Sequence, residues 1–398
     1  MKKESKKPTF KLWEVIVISV ISSLIMSLGT GYIAYRNINT GKQNTSNNKH
    51  LQEFVKSYNQ ILDNYYDNVD EEALIDSAIK GMLNYLGDPY TTYLNESSKS
   101  YLTSSLTGTY EGIGVLFTKN ENNEFEIVNV YDDTPAKEAG ILTGDKIIKV
   151  NDESVTDKTS AELGSLIKES KKDTIKITIK RGEEEIEFNV KRKTLYNPAV
   201  SSKVIMQNEK SIGYIALTKF SDTAYEQFNK ELQKLEASKI DSLIIDVRNN
   251  TGGYLNEATK IAELFIEKGK TIYSLENKNK TEITKDETDE HRSYKVGILI
   301  NGGSASASEV LASALKYSYN ASLIGTKSYG KGKVQQTSNL SDGSMIKYTT
   351  ARWLTPEGNC IDGIGLTPDI ENELPEISEE GETVEDTQLN AAVEYLSN

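Results

Sequence analysis

The sequence predicts an α/β protein built on a parallel sheet with crossover helices, and two observations carry that prediction. From about residue 195 the pattern alternates strand, helix, strand. The strands in it are short unbroken apolar runs, the kind that are covered on both faces. A third observation adds a second unit: residues 107–192 read as short strand-like runs between glycine turns, a smaller α+β arrangement.

In the alternating region, 212–217 is apolar, and Asp222 is placed to cap an amphipathic helix through Ala224, Phe228, Leu232 and Leu235. SLIIDVR (242–248) reads as a buried strand, followed by NNTGG and a helix over 254–267. KVGILIN (295–301) is the next strand, followed by GGSASAS and a helix from about 306 to 316; SLIGT (322–326) is the third. In the smaller unit the strands are GIGVLF (112–117), EIVNVY (126–131), DKIIKVN (145–151) and TIKITIKRG (174–182), with helices at 135–139 and 160–168.

Ahead of both units, Leu51, Phe54, Val55, Tyr58, Ile61, Leu62 and Tyr65 recur at helical spacing. So do Leu74, Ile75, Ala78, Ile79, Met82, Leu83 and Leu86, until Gly87-Asp88-Pro89 stops the helix. This predicts a core-facing helical hairpin within a lead-in over 51–106. At the other end, 371–386 holds eight acidic residues in 16 and reads as a solvated connector. TQLNAAVEYL, within 387–398, is an amphipathic helix too short to stand undocked.

The first eleven residues carry five lysines against one glutamate, and residues 15–35, VIVISVISSLIMSLGTGYIAY, carry no charge. A basic segment (1–11) before an apolar run of that length predicts a transmembrane signal anchor over 12–35. The N-terminus would be cytoplasmic and the rest extracytoplasmic, a single-pass location at the cell membrane. A cleaved signal peptide is the competing reading, although no A-x-A site follows the run. Residues 36–50, rich in asparagine, read as a polar linker.

Composition narrows the function. The 398 residues hold 46 Lys+Arg against 59 Asp+Glu, a formal net charge of -13, which argues against nucleic acid as a partner. One cysteine, Cys360, excludes an internal disulfide framework and reads as a structural thiol. There are two histidines, His50 in the linker and His291 in the charged stretch KDETDEHR. A Ser-His-Asp triad would have to use one of them, and neither is well placed.

NGGSASASE (301–309) lies between an apolar strand and the helix VLASALK. Such a turn can lift a serine hydroxyl out of the sheet beside free helix N-terminal N–H groups. The bare sequence does not choose among Ser304, Ser306 and Ser308. A lysine can replace histidine as base if it is neutral at working pH. Lys331 in YGKGKVQQ (329–336), flanked by Gly330 and Gly332, follows the next strand and so can lie at the same sheet edge.

NGGSASASEVLASALK, SYGKGKVQQ and IIDVRNNTGG together resemble the C-terminal processing peptidases, or tail-specific proteases. WLTPEGNCIDGIGLTPD (353–369) and GMLNYLGDPYTTYL (81–94) are similar to further segments of that family, and 107–192 to its PDZ domain. The resemblance runs from about 51 to 398. It implies a serine endopeptidase with a crotonase-like parallel-sheet core over 193–370 and an inserted PDZ domain. Its catalytic residues would be Ser306 as nucleophile, 25 residues before Lys331 as general base, with Gln335 holding the lysine. Gly252 and the Ala307 N–H would form the oxyanion hole, with Gly253 close by. In the PDZ segment, Gly112, Ile113, Gly114 and Val115 match the carboxylate-binding loop, and the order of TPAKEAGILTGDKIIKVNDESV (134–155) is that domain's. Some relatives carry an arginine where this chain has Lys168.

The resemblance implies protein or peptide substrates with free C-terminal tails, activity gated by the PDZ domain, homodimers through terminal helices, and no metal or organic cofactor. Two rivals belong to other classes. One is a catalytically inactive, membrane-anchored PDZ binding protein, against which the intact Ser306, Lys331 and Gln335 speak. The other is a crotonase-type acyl-thioester enzyme, in which a PDZ segment would have no purpose.

Overall fold

The computed structural model describes residues 48–120, 122–168, 173–375 and 385–398, and the chain divides into two compact units, Met1–Gly81 and Met82–Asn398. The expected membrane-spanning helix over 12–35 lies outside the described residues. Among the described residues no helix is long and apolar enough to cross a membrane. The longest, Lys49–Asn64, has 16 residues, short of the ~20 a span needs. The expected single-pass membrane location is corrected on that finding, and the transmembrane element of the fold class is left without support.

In the first unit, Asn48 caps the helix Lys49–Asn64 by accepting from the N–H groups of His50 and Leu51. Asp70 caps the start of the helix Glu71–Tyr85 by accepting from Ala73 N–H, and Tyr58 Oη donates to Glu71 at 2.7 Å. The expected core-facing hairpin differs in one respect. Neither helix has a buried residue, and Leu51, Phe54, Val55 and Ile61 lie exposed.

The second unit centres on a six-stranded sheet. Its strands, from one edge to the other, are Val200–Gln207, Lys210–Leu217, Ser242–Asp246, Lys295–Ile300, Ser322–Gly325 and Ile370–Glu371. The first pair is antiparallel and every later pair is parallel. The helices Ala224–Ala237, Leu255–Glu263 and Ala307–Ala314 cover one face. Phe228, Phe265, Ile245, Ile298 and Leu311 meet there in a single apolar core. The C-terminal helix Thr387–Ser397 covers the other face, with Ala392, Val393 and Leu396 against Ile244, Leu299 and Ile324. That helix is pinned by charge. Arg248 forks between Asp246 (2.6 Å) and Asp386 (2.8 Å), and Asp386 also caps the helix by accepting from Leu389 N–H. Arg248 holds the Asp386 carboxyl below its ordinary range.

Asp222 is not the cap of the following helix. Thr223 occupies that position and makes no side-chain cap bond. An antiparallel sheet absent from the expectation packs beside the core. It contains Thr92–Leu94, Thr271–Glu276, Thr281–Lys285, Lys333–Asn339 and Met345–Leu354. Those strands carry mixed polar sequences, so their pairing rests on long-range contacts.

Residues 115–191 fold into an antiparallel sheet with the helices Pro135–Ala139 and Ser160–Lys168 and a core of their own around Phe125, Ile127, Ile147, Leu163 and Ile177. The chain enters and leaves through a two-stranded ribbon, Thr109–Gly112 paired with Lys193–Tyr196. The helix Glu96–Thr107 leads into that ribbon through Gly108. This residue has φ of 64°, and a Cβ there would lie 2.6 Å from Ser221.

Candidate active site

The parallel strands deliver four loops to one sheet edge: 218–221, 247–253, 301–306 and 326–331. Ligands of open α/β sheets bind at that carboxyl edge. Ser306 sits at the sharp turn from the strand Lys295–Ile300 into the helix Ala307–Ala314, with φ 58° and ψ -116°. This left-handed backbone is strained for a serine, and such turns present a nucleophilic hydroxyl.

Its two neighbours are held differently. Ser304 Oγ donates to Val247 O at 2.8 Å, Ser308 Oγ donates to Asn250 O at 2.7 Å, and both residues are fully buried. They brace the turn against the 247–250 loop. Ser306 alone of the three lines the cavity, which has a volume of about 640 Å³.

Lys331 lines the same cavity. Its pKa lies below the ordinary lysine value. Burial is the main cause, and the neighbouring ammonium groups of Lys347 and Lys219 add to it, against an opposing pull from Glu309 and Asp88. The Lys331 Nζ lies 5.0 Å from the centre of the Tyr90 ring. Among the described residues no hydrogen bond joins Ser306 Oγ to Lys331 Nζ. Gly330 and Gly332 let the chain 361–365 pass close by. A Cβ on Gly330 would stand 2.8 Å from Gly365 N, and one on Gly332 would stand 2.7 Å from Asp362 Cβ.

One residue that sequence reasoning passed over ties these parts together. Glu309 is buried, and its carboxylate accepts four hydrogen bonds. Ser306 N–H donates at 2.8 Å, Lys331 N–H at 2.9 Å, Gly330 N–H at 2.7 Å and Ser328 Oγ at 2.6 Å. The signal was present: Ser306-x-x-Glu309 is a capping-box spacing.

Gln335 also lines the cavity, beside a register shift between Val334 and Gln335 in the antiparallel sheet. Its Nε2 donates to Thr349 Oγ1 at 3.2 Å, not to Lys331. Thr349 donates in turn to Asp88 Oδ2 at 2.5 Å.

Ala307 N–H, the first of its helix, has no acceptor among the described residues. Gly252 differs from its expected role. Its N–H donates to Asn250 Oδ1 at 2.9 Å, while Gly253 lines the cavity with a N–H that has no acceptor among the described residues. Gly252 is required for a different reason. At φ 97° a Cβ would lie 2.8 Å from Ala305 O and 2.9 Å from Ser306 Cβ. His291 is exposed and does not line the cavity, and His50 belongs to the first unit.

The Carboxy-terminal processing protease CtpA of Bacillus subtilis is 34% identical to this chain over 373 residues, covering 93% of this chain and 78% of that protein. The chain belongs to the carboxy-terminal processing proteases of peptidase family S41. The Peptidase family S41 profile matches residues 211–372, the PDZ domain profile 112–191, and that of the Activating protease CtpB N-terminal domain 26–98. The Probable CtpA-like serine protease of Staphylococcus epidermidis is also 34% identical, over 94% of this chain and 76% of that protein. Among solved structures, the photosystem II D1 C-terminal processing protease aligns with a TM-score of 0.51 at 23% identity. It covers 87% of this chain and 91% of its own. At that identity the likeness shows the fold alone. This S41 protein is a serine-type C-terminal processing peptidase, and its substrates are proteins.

Glu309→Gln replaces two acceptor oxygens by one and turns an NH₂ toward the ring of donors. It should destabilise the protein by about 2–4 kcal/mol and, by loosening both loops, lower kcat about a hundredfold. Urea unfolding and peptide hydrolysis on the same preparation check this.

Proposed function

We propose that this S41 peptidase cleaves peptide bonds by a Ser306–Lys331 mechanism, with C-terminal tails recognised by its PDZ domain. The observation that carries the reading is one cavity holding both a serine on a strained strand–helix turn and a lysine whose pKa is depressed by burial. Ser306 Oγ attacks the carbonyl while neutral Lys331 takes its proton. The same amine then protonates the leaving nitrogen and activates the deacylating water. The free N–H groups of Ala307 and Gly253 are the donors for the oxyanion, and Gly253 replaces Gly252 in that role. Gln335 is assigned to orienting Lys331, its Oε1 accepting from the ammonium that forms. The intact dyad leaves the inactive-binder alternative without support.

Ser306→Ala and Lys331→Ala should each abolish hydrolysis while leaving the fold intact. Lys331→Arg should be equally dead, because a guanidinium keeps its proton. For the wild-type, activity should rise with pH and level off below the ordinary lysine range, because burial lowers the Lys331 pKa and only the neutral amine accepts the serine proton. Turnover by Lys331→Arg would remove Lys331 as base.

The tail-binding reading rests on a second cavity, of about 280 Å³, lined by Ile113, Val115, Phe117 and Ile167 with Lys168. The N–H groups of Ile113 and Gly114 beside it have no acceptor among the described residues, as a carboxylate loop requires. Tyr110, Glu111 and Gly112 line this cavity, and they lie on the ribbon strand that follows the helix Glu96–Thr107. Leu102 and Leu106 of that helix line the Ser306 cavity. Occupation of the PDZ groove would thus act on the active-site wall through one continuous segment. A short peptide with a free apolar C-terminus should raise cleavage of an unrelated reporter, and its amidated twin should not. Equal stimulation by both would make the PDZ unit a spacer.

The exposed Leu51, Phe54, Val55 and Ile61 support homodimerisation through the first helix. Phe54→Ser with Ile61→Ser should then shift the sedimentation coefficient from dimer to monomer.

A further inference from the structure

The Ser306 cavity is lined by four lysines, Lys219, Lys331, Lys333 and Lys347, and by no aspartate or glutamate. This runs against the composition of a chain with 59 acidic and 46 basic residues. Two of the four have partners within the structure. Lys333 reaches Asp88 at 3.4 Å, and Lys331, whose amine lies over the Tyr90 ring, is the base of the proposed mechanism. The other two have no acid partner among the described residues. Lys219 Nζ donates only to Thr251 Oγ1, at 3.2 Å, and Lys347 makes no side-chain hydrogen bond or ion pair among the described residues. Both are partly buried.

They come from different parts of the fold. Lys219 follows the strand Lys210–Leu217 and reaches Thr251, one residue before the Gly252-Gly253 turn. Lys347 stands on the strand Met345–Leu354, opposite Thr337 and Thr92. Two cationic side chains without an acid partner among the described residues, converging on one cavity, offer an anion its complement.

We propose that Lys219 and Lys347 form a carboxylate-selective subsite of the catalytic cleft, favouring substrates that bring a carboxylate close to the scissile bond. The carboxylate is either an Asp or Glu side chain or the substrate's own chain terminus. The proposal rests on Ser306 as the nucleophile. Its chemistry is a charge-assisted hydrogen bond in a confined site, where a neutral amide of the same shape leaves both ammonium groups unpaired. Both lysines also lower the Lys331 pKa, so an anion between them and the base would offset part of that effect. A ratio of rates on matched substrates is therefore a cleaner readout than any absolute rate.

The test uses the purified full chain and quenched fluorescent peptides. Each pair differs only by Glu or Gln, moved from three residues before the cut to three after it. A further pair ends three residues past the cut in a free carboxylate or an amide. At one of these positions kcat/KM should favour the carboxylate member roughly tenfold at low salt, and the ratio should shrink as salt rises. The position identifies which source of carboxylate is read. Lys219→Gln combined with Lys347→Gln should bring the ratio close to one. Lys347→Glu should make a Lys-containing peptide the preferred member at that position, a gain that a misfolded enzyme cannot show. A ratio near one throughout the wild-type series, or a ratio unchanged in the double variant, would overturn the proposal. Cleavage of the Gln peptides that stops in Ser306→Ala keeps the nucleophile whatever the ratio, so the two readings fail separately.

Discussion

The buried carboxylate of Glu309 is the constraint on which the site's geometry depends. It stands one turn into the helix that Ser306 begins, and it accepts from Ser306 N–H on one side and from Gly330, Lys331 and Ser328 on the other. A serine at φ 58° is held against about 1–3 kcal/mol of backbone strain. A bond to its own N–H opposes relaxation of that turn. The same oxygens fix where the lysine loop lies, so Ser306 and Lys331 are referenced to one group. Ser304 and Ser308 brace the serine turn against the 247–250 loop, and Glu309 adds the buried charge that ties that turn to the lysine loop.

Around that frame, electrostatics decides what Lys331 can do. A lysine over an aromatic face is favoured in its charged form, and Glu309 and Asp88 act in the same direction. Burial and the two neighbouring ammonium groups act the other way and prevail. The charges that recruit an anionic substrate in this reading are thus the same charges that disfavour a third cation beside them. Burial alone would raise the Asp88 pKa, but hydrogen bonds from Thr349, Thr91 and the Tyr90 N–H, with Lys333 last, hold it down to about 2 and engage its oxygens away from Lys331.

The parallel sheet was legible because its strands are unbroken apolar runs, and apolar runs between helices have few other solutions. Ser306 and Lys331 were named by resemblance, and nothing local in the sequence separates the three serines. What separates them in the structure is Val247 O and Asn250 O, more than 50 residues away in sequence. What the Gly252 N–H does was hidden for a similar reason. A glycine at a tight approach and a glycine with a free N–H look alike in sequence, and only the Asn250 side chain distinguishes them. The antiparallel sheet was missed because KVQQTSN and its partner strand are half exposed and carry no clean alternation. The lead-in helices were read as core-facing from an apolar stripe that is instead exposed, since periodicity shows that a face exists and not what covers it.

In the proposed gating, the remaining link would run from the PDZ groove to the cleft. A tail that binds the groove shifts a two-state equilibrium only by its difference in affinity for the two states. A hundredfold change in activity therefore requires about 2.7 kcal/mol of difference. A peptide added as a strand contributes a few hydrogen bonds of ~1 kcal/mol each and one apolar side chain of ~2 kcal/mol, so a groove that is half closed in one state supplies enough. The segment from Glu96 to Gly112 is suited to carry that difference, because it is a helix, a left-handed glycine and a ribbon strand with no flexible loop between them. Its Leu106 carbonyl accepts from Asp222 N–H and Gly108 packs on Ser221, so the segment is anchored to the loop before the helix Ala224–Ala237. A displacement at Tyr110 must then either break that anchor or move Leu102 and Leu106 within the cleft. Either outcome changes the wall against which the substrate lies, without any contact between the bound tail and Ser306.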